Sequence, residues 1–176
     1  SEVTVTIPGY FSKAVSKGNK DFTGVSINGM QYQPEVGKPR VPIKPVYVEI
    51  PQGSVAEVTV VDVKEHKVKN VKVDPVQLPD PDGAVDLSFD TPRSYREDAV
   101  VYSTDATFPA SSIMGISYSN VGRKRFVVID VVPIRANVVA ETAMVAHKIT
   151  LRVSVSGASI TEGGYPGGEP VGMGDG

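Results

Sequence analysis

The stretch Lys148-Ile149-Thr150-Leu151-Arg152-Val153-Ser154-Val155-Ser156 decides the fold class. Ile149, Leu151, Val153 and Val155 alternate with polar residues at a period of two, which sets one face of a β-strand on a core and the other in water. The same rhythm opens the chain, where Val3, Val5 and Ile7 alternate with Glu2, Thr4 and Thr6 until Pro8-Gly9 closes the run.

Composition carries that reading to the whole chain. Of 176 residues 31 are Val and 3 are Leu (Leu78, Leu87 and Leu151), a balance that disfavours helix because Val loses rotamer freedom there and packs well on a pleated surface. With 17 Gly and 14 Pro as punctuation, the pattern predicts an all-β, antiparallel two-layer β-sandwich with at most one short helix. One domain is expected at this length, and the core is large enough to need no staples.

Further strands are predicted at Phe22 to Ile27, turning through Asn28-Gly29 into Met30 to Gln33, and at Val46 to Ile50, which ends in Pro51-Gln52-Gly53. Pro34 to Pro45, with four prolines, reads as an extended connector. Val55 to Val63 and His66 to Val73 read as two runs about a Lys64-Glu65 corner, with a bulge near Lys69-Asn70. Val100 to Ser103 and Ile113 to Ser119 are short strands, and Phe126 to Ile134, apolar on both faces except at Asp130, reads as a central strand. Val48, Val58, Val60, Val128, Val132, Leu151 and Val153 are the expected core. Residues 1–156 form the sandwich, and Gly157 to Gly176, with eight glycines in twenty residues, reads as a flexible linker toward a downstream domain.

From Asp74 to Asp98 the apolar rhythm stops, and Pro75, Pro79, Pro81 and Pro92 exclude a central strand. About 25 residues of loop exceed what compact domains carry without a functional reason.

Chemistry is sparse. A net charge of −2 without a basic block argues against nucleic acid, and no apolar run is long enough for a membrane span. Zero cysteines exclude a disulfide framework, thiolate-held metals and a cysteine nucleophile. His66 and His147 are the only histidines; no Gly-x-Ser-x-Gly elbow accompanies them, and they read as solvated strand residues. The run Asp80 to Asp86 is only faintly like a calcium loop, because Pro81 interrupts it, Gly83 comes early and no Glu closes it. Lys13, Lys17, Lys20, Lys64, Lys67, Lys69 and Lys72 read as edge or loop charges that discourage strand pairing between molecules. Tyr32, Tyr47 and Tyr118 are expected half-buried, with their hydroxyls outward. The residues alone thus predict a noncatalytic sandwich with no cofactor.

Three segments carry a resemblance. Gly37-Lys38-Pro39-Arg40-Val41-Pro42-Ile43 running into Val46 to Gly53, then Phe126 to Ile134, then Ile149 to Val155, resemble in order and spacing the propeptides of gingipain-type cysteine peptidases. The resemblance implies a sandwich of jelly-roll or carbohydrate-module type beside a secreted or cell-surface peptidase, bound in cis as a monomer. It also implies latency and folding assistance, with a loop inserted in the active-site cleft. That loop maps onto Val76, Gln77, Leu78, Pro79, Asp80 and Asp82, where this sequence lacks the basic residue that gingipain propeptides offer; Arg93 and Arg96 are the nearest. Leu78 is the expected anchor, with Asp80 and Asp82 toward a positive rim. The alternative is a cell-surface module that binds carbohydrate or another protein.

Overall fold

The computed structural model describes residues 1–79 and 94–157. Its strands, in chain order, are β1 (Glu2–Thr6), β2 (Phe11–Lys17), β3 (Lys20–Ser26), β4 (Gln31–Tyr32), β5 (Pro42–Ile50), β6 (Val55–Lys69), β7 (Ile113–Val121), β8 (Lys124–Val131), β9 (Ile134–Asn137) and β10 (Thr142–Ser156). One sheet has β10 at its centre, with β6 along one side and β1 and β9 end to end along the other. A second runs β4-β5-β8-β7, and β2 and β3 form a separate ribbon. Every strand ladder is antiparallel.

The core follows from the alternation. Ile149, Leu151 and Val153 of β10 and Val127, Ile129 and Val131 of β8 join one buried cluster that draws on both large sheets. Of the expected core, Val128, Val132, Leu151 and Val153 are buried, while Val48, Val58 and Val60 are half-buried and pack against the cluster from outside. Val58 and Val60 lie on β6, whose far side pairs with no strand of the sheet, so their outer flank stays wet.

Several boundaries move. Asn28-Gly29 does turn the chain, but it joins no hairpin: β3 pairs with β2, and β4 with β5. Strand β2 escapes a periodic reading because nearly all of it is exposed. Pro42 and Pro45 belong to β5 rather than to a connector; β4 reaches only Pro42 and Ile43, so the rest of that edge asks for no backbone donor. Lys64-Glu65 is not a corner, since β6 runs unbroken to Lys69. The irregularities of its ladder with β10 fall instead between Ala146 and Lys148 and between Thr150 and Leu151.

The apolar stretch from Phe126 breaks at Val132-Pro133, where the chain leaves the second sheet as β8 and enters the first as β9. Val101–Ser103 is a turn of 3-10 helix, because the Asp98 carboxylate accepts the Val100 and Val101 N–H groups, at 3.0 Å each, and so caps a helical turn.

Candidate functional site: the neck of the 74–98 loop

The loop leaves the end of β6 and returns at Asp98, and its two arms are tied to each other and to the turn before β5. On the first arm the Arg40 N–H donates to Asp74 O at 2.8 Å, the Val76 N–H to Lys38 O at 2.9 Å and the Gly37 N–H to Val76 O at 2.7 Å. On the second, the Asp98 N–H donates to Gly37 O at 2.9 Å. Gly37 thus bonds both arms. Its φ of 91° and the Asp98 nitrogen 3.0 Å from where a Cβ would stand leave no room for another residue.

The arms also meet directly. Gln77 Nε2 donates to Arg96 O at 2.7 Å, and the Arg96 N–H donates to Gln77 Oε1 at 3.0 Å, so one carboxamide replaces a pair of strand-to-strand bonds. Behind them the Tyr102 hydroxyl donates to Val73 O at 2.7 Å, and burial raises its phenol pKa well above the ordinary tyrosine range.

A second clamp comes from the tip of the β2–β3 ribbon. Gly18 and Asn19, with φ of 58° and 62°, make a two-residue turn that carries Lys17 and Lys20 on its shoulders. Lys17 Nζ donates to Asp74 Oδ2 at 2.6 Å and to Pro75 O at 3.3 Å. The Asp74 side chain is only 2% exposed, and its Oδ1 has no hydrogen-bond partner among the described residues, so Lys17 is the charge that makes this burial tolerable. Across the turn Lys20 Nζ donates to Glu97 Oε1 at 3.2 Å and lies 5.6 Å from the centre of the Tyr95 ring, whose hydroxyl donates to the same Glu97 oxygen at 2.8 Å. Burial opposes ionisation of Glu97, but the hydrogen bonds from Tyr95 and Lys20 outweigh it and hold its carboxyl below the usual carboxylate range. The Tyr95 ring packs on Gly18, where a Cβ would lie 2.5 Å from it.

Of the residues singled out by sequence, Val76 and Gln77 are therefore built into the neck, while Leu78 and Pro79 stand exposed just beyond it. Asp80 and Asp82 lie outside the described residues. Lys17, Gly18, Lys20, Asp74, Tyr95 and Glu97 were not singled out for this role. The Gly18-Asn19 pair was the available signal, since it is a favoured hairpin turn.

His66 and His147 are exposed on adjacent strands, with rings 5.9 Å apart and 25° from parallel. Among the described residues no group of three or more His, Asp or Glu could hold a metal ion. The neck contains no nucleophile paired with a base. Its chemistry is that of a set of ties that fix residues 73–77 against residues 95–98.

Residues 4–163 match the family model Propeptide_C25. The chain belongs to this family of gingipain propeptides. It is a noncatalytic propeptide region, and its all-β antiparallel fold is that of solved relatives. A structure described as the complex of Porphyromonas gingivalis RgpB pro- and mature domains is similar to the propeptide with a TM-score of 0.74 and 19% identity, over 88% of this chain and 79% of that one. Another, described as a structural insight into the zymogenic latency of gingipain K from Porphyromonas gingivalis, aligns with a TM-score of 0.70 and 22% identity, over 89% and 87%. No curated protein sequence matches the propeptide. No helix among its described residues is long and apolar enough to cross a membrane.

Proposed function

We propose that this propeptide holds a gingipain-type cysteine peptidase latent, in cis, and assists its folding, with the 74–98 loop lying in the active-site cleft. The neck carries the reading. A segment that must occupy a cleft binds more tightly when its base is already fixed, because less conformational entropy is lost on docking. Here both arms are fixed by Gly37, Gln77 and the ribbon tip. The described structural relatives, one a complex of pro- and mature domains and one concerned with zymogenic latency, support the same role.

Since Val76 and Gln77 are committed to the neck, the anchor falls to Leu78, 40% exposed and the first apolar side chain past it. Asp80 and Asp82 would meet a positive rim. With Leu78 as anchor the cognate peptidase accepts an apolar side chain. The propeptide acts as a monomer, outside the cytoplasm, and residues 157–176 link it to the peptidase.

The test is inhibition in trans. The propeptide added to its own mature peptidase should inhibit, Leu78→Ala should weaken inhibition, and shortening the loop should abolish it. Failure of the intact chain to inhibit, or equal inhibition after the loop is shortened, would overturn the reading and favour a cell-surface binding module.

A further inference from the structure

The β2–β3 ribbon and the turn before β5 border a half-open cavity of about 350 Å³, within the size range of small-ligand sites. Phe11, Lys13 and Val15 of β2 line it together with Tyr32 and Arg40. Gly24 also lines it, and a Cβ there would stand 3.2 Å from Val15 Cγ1.

The charges are one-sided. Two cations line the cavity and no acidic residue does. Arg40 is half-buried, and its guanidinium lies 3.5 Å from the centre of the Tyr32 ring. Its backbone N–H serves the neck, but among the described residues nothing accepts from its guanidinium, and Lys13 likewise has no ion pair. Arg135 and Arg152, by contrast, meet Glu65 and Glu2. Stacking on the ring face satisfies the π-surface of a guanidinium and leaves its edge, a fork of donors that matches an oxyanion bidentately, free.

We propose that this cavity is a binding site for a carboxylate attached to an apolar group, such as the C-terminus of a peptide ending in an apolar or aromatic residue. Arg40 takes the carboxylate edge-on, Lys13 adds a second positive charge from the rim, and the side chain lies against Phe11 and Val15 over Gly24. The site is independent of the latency reading, because neither the loop nor a peptidase takes part.

The probe is N-acetyl-L-phenylalanine, titrated into the full chain and followed by amide chemical shifts. Saturable shifts are expected at residues 12–15 and 24–26, with none for the uncharged amide of the same compound. Arg40→Gln should weaken binding about tenfold or more, as loss of a charged hydrogen-bond pair does. Gly24→Val should block it with the fold intact by circular dichroism. Should Arg40→Gln not fold, Lys13→Gln, altered at an exposed side chain, is read instead, and unchanged affinity there overturns the proposal. Absence of saturable shifts overturns it too, and so does inorganic phosphate binding as tightly at the same residues, which would make the site one for oxyanions in general.

Discussion

The carboxamide of Gln77 holds the main chain of Arg96 by two hydrogen bonds, at 2.7 and 3.0 Å, across a sequence separation of 19 residues. Gln77→Ala should loosen the neck while sparing the core. Two exposed hydrogen bonds are together worth about 1–2 kcal/mol, and the freed groups reach water. Native-state hydrogen exchange should show faster exchange at Arg96 and Asp98, with amides of β8 and β10 unchanged.

Lys17 and Asp74 form a pair in which one partner is almost wholly buried. Lys17→Met should cost about 2–4 kcal/mol, because it strands a buried carboxylate. Adding Asp74→Asn should recover part of that loss. A double-mutant cycle by denaturant unfolding checks both, and additive losses would show that the pair is uncoupled.

Gly18→Val combines a disfavoured φ of 58° with a Cβ that meets the Tyr95 ring. The expected loss is about 2 kcal/mol or more, read as a lower melting temperature together with displaced Tyr95 resonances. Gly122, at a matching φ of 62° and with nothing within 4 Å of where its Cβ would stand, is the control for the backbone cost alone.

The pH dependence has opposite signs at its two ends. Glu97 is more acidic folded than unfolded, so its contribution is complete above its ordinary value of 4.5 and fades as pH falls through the lower folded value. Tyr102 holds its proton more tightly when folded, so its contribution is complete below its ordinary 10.0 and fades as pH rises beyond that. Glu97→Gln should flatten the acid limb of a stability–pH curve and also lessen the alkaline limb, because the Glu97 charge helps to raise the Tyr95 and Tyr102 phenols.

Core truncations should separate buried from flanking valleys of the sandwich. Leu151→Ala, at a fully buried site, should cost about 2–5 kcal/mol, whereas the half-buried Val58→Ala should cost about 1 kcal/mol. Denaturant midpoints at equal m-value read the difference.

What the sequence displays of this fold tracks burial. β10 could be read because its side chains sort between core and water, and β8 because it is apolar on both faces. β2 could not, since its exposure removes the period, and the break at Val132-Pro133 was hidden because residues on both sides of it are buried. The loop was visible from its prolines. Its clamps were not, because Lys17 and Lys20 act on residues 57 and 77 positions away, and a lysine beside a turn carries no local mark of such a partner. Arg40 lay inside a recognised segment, yet its lack of a carboxylate partner could only be seen in three dimensions.

The central place of β10 sets an order on biosynthesis. β1, β6 and β9 all pair with it, and the Ser1 nitrogen donates to Val153 O across 152 residues. A ribosome therefore releases β1 and β6 long before the strand that joins them exists, while the β2–β3 ribbon and the β4–β5 pair need no part of β10. Contacts of such separation make folding slow, on the order of milliseconds to seconds. The sheet built around β10 therefore closes only after β10 has cleared the exit tunnel.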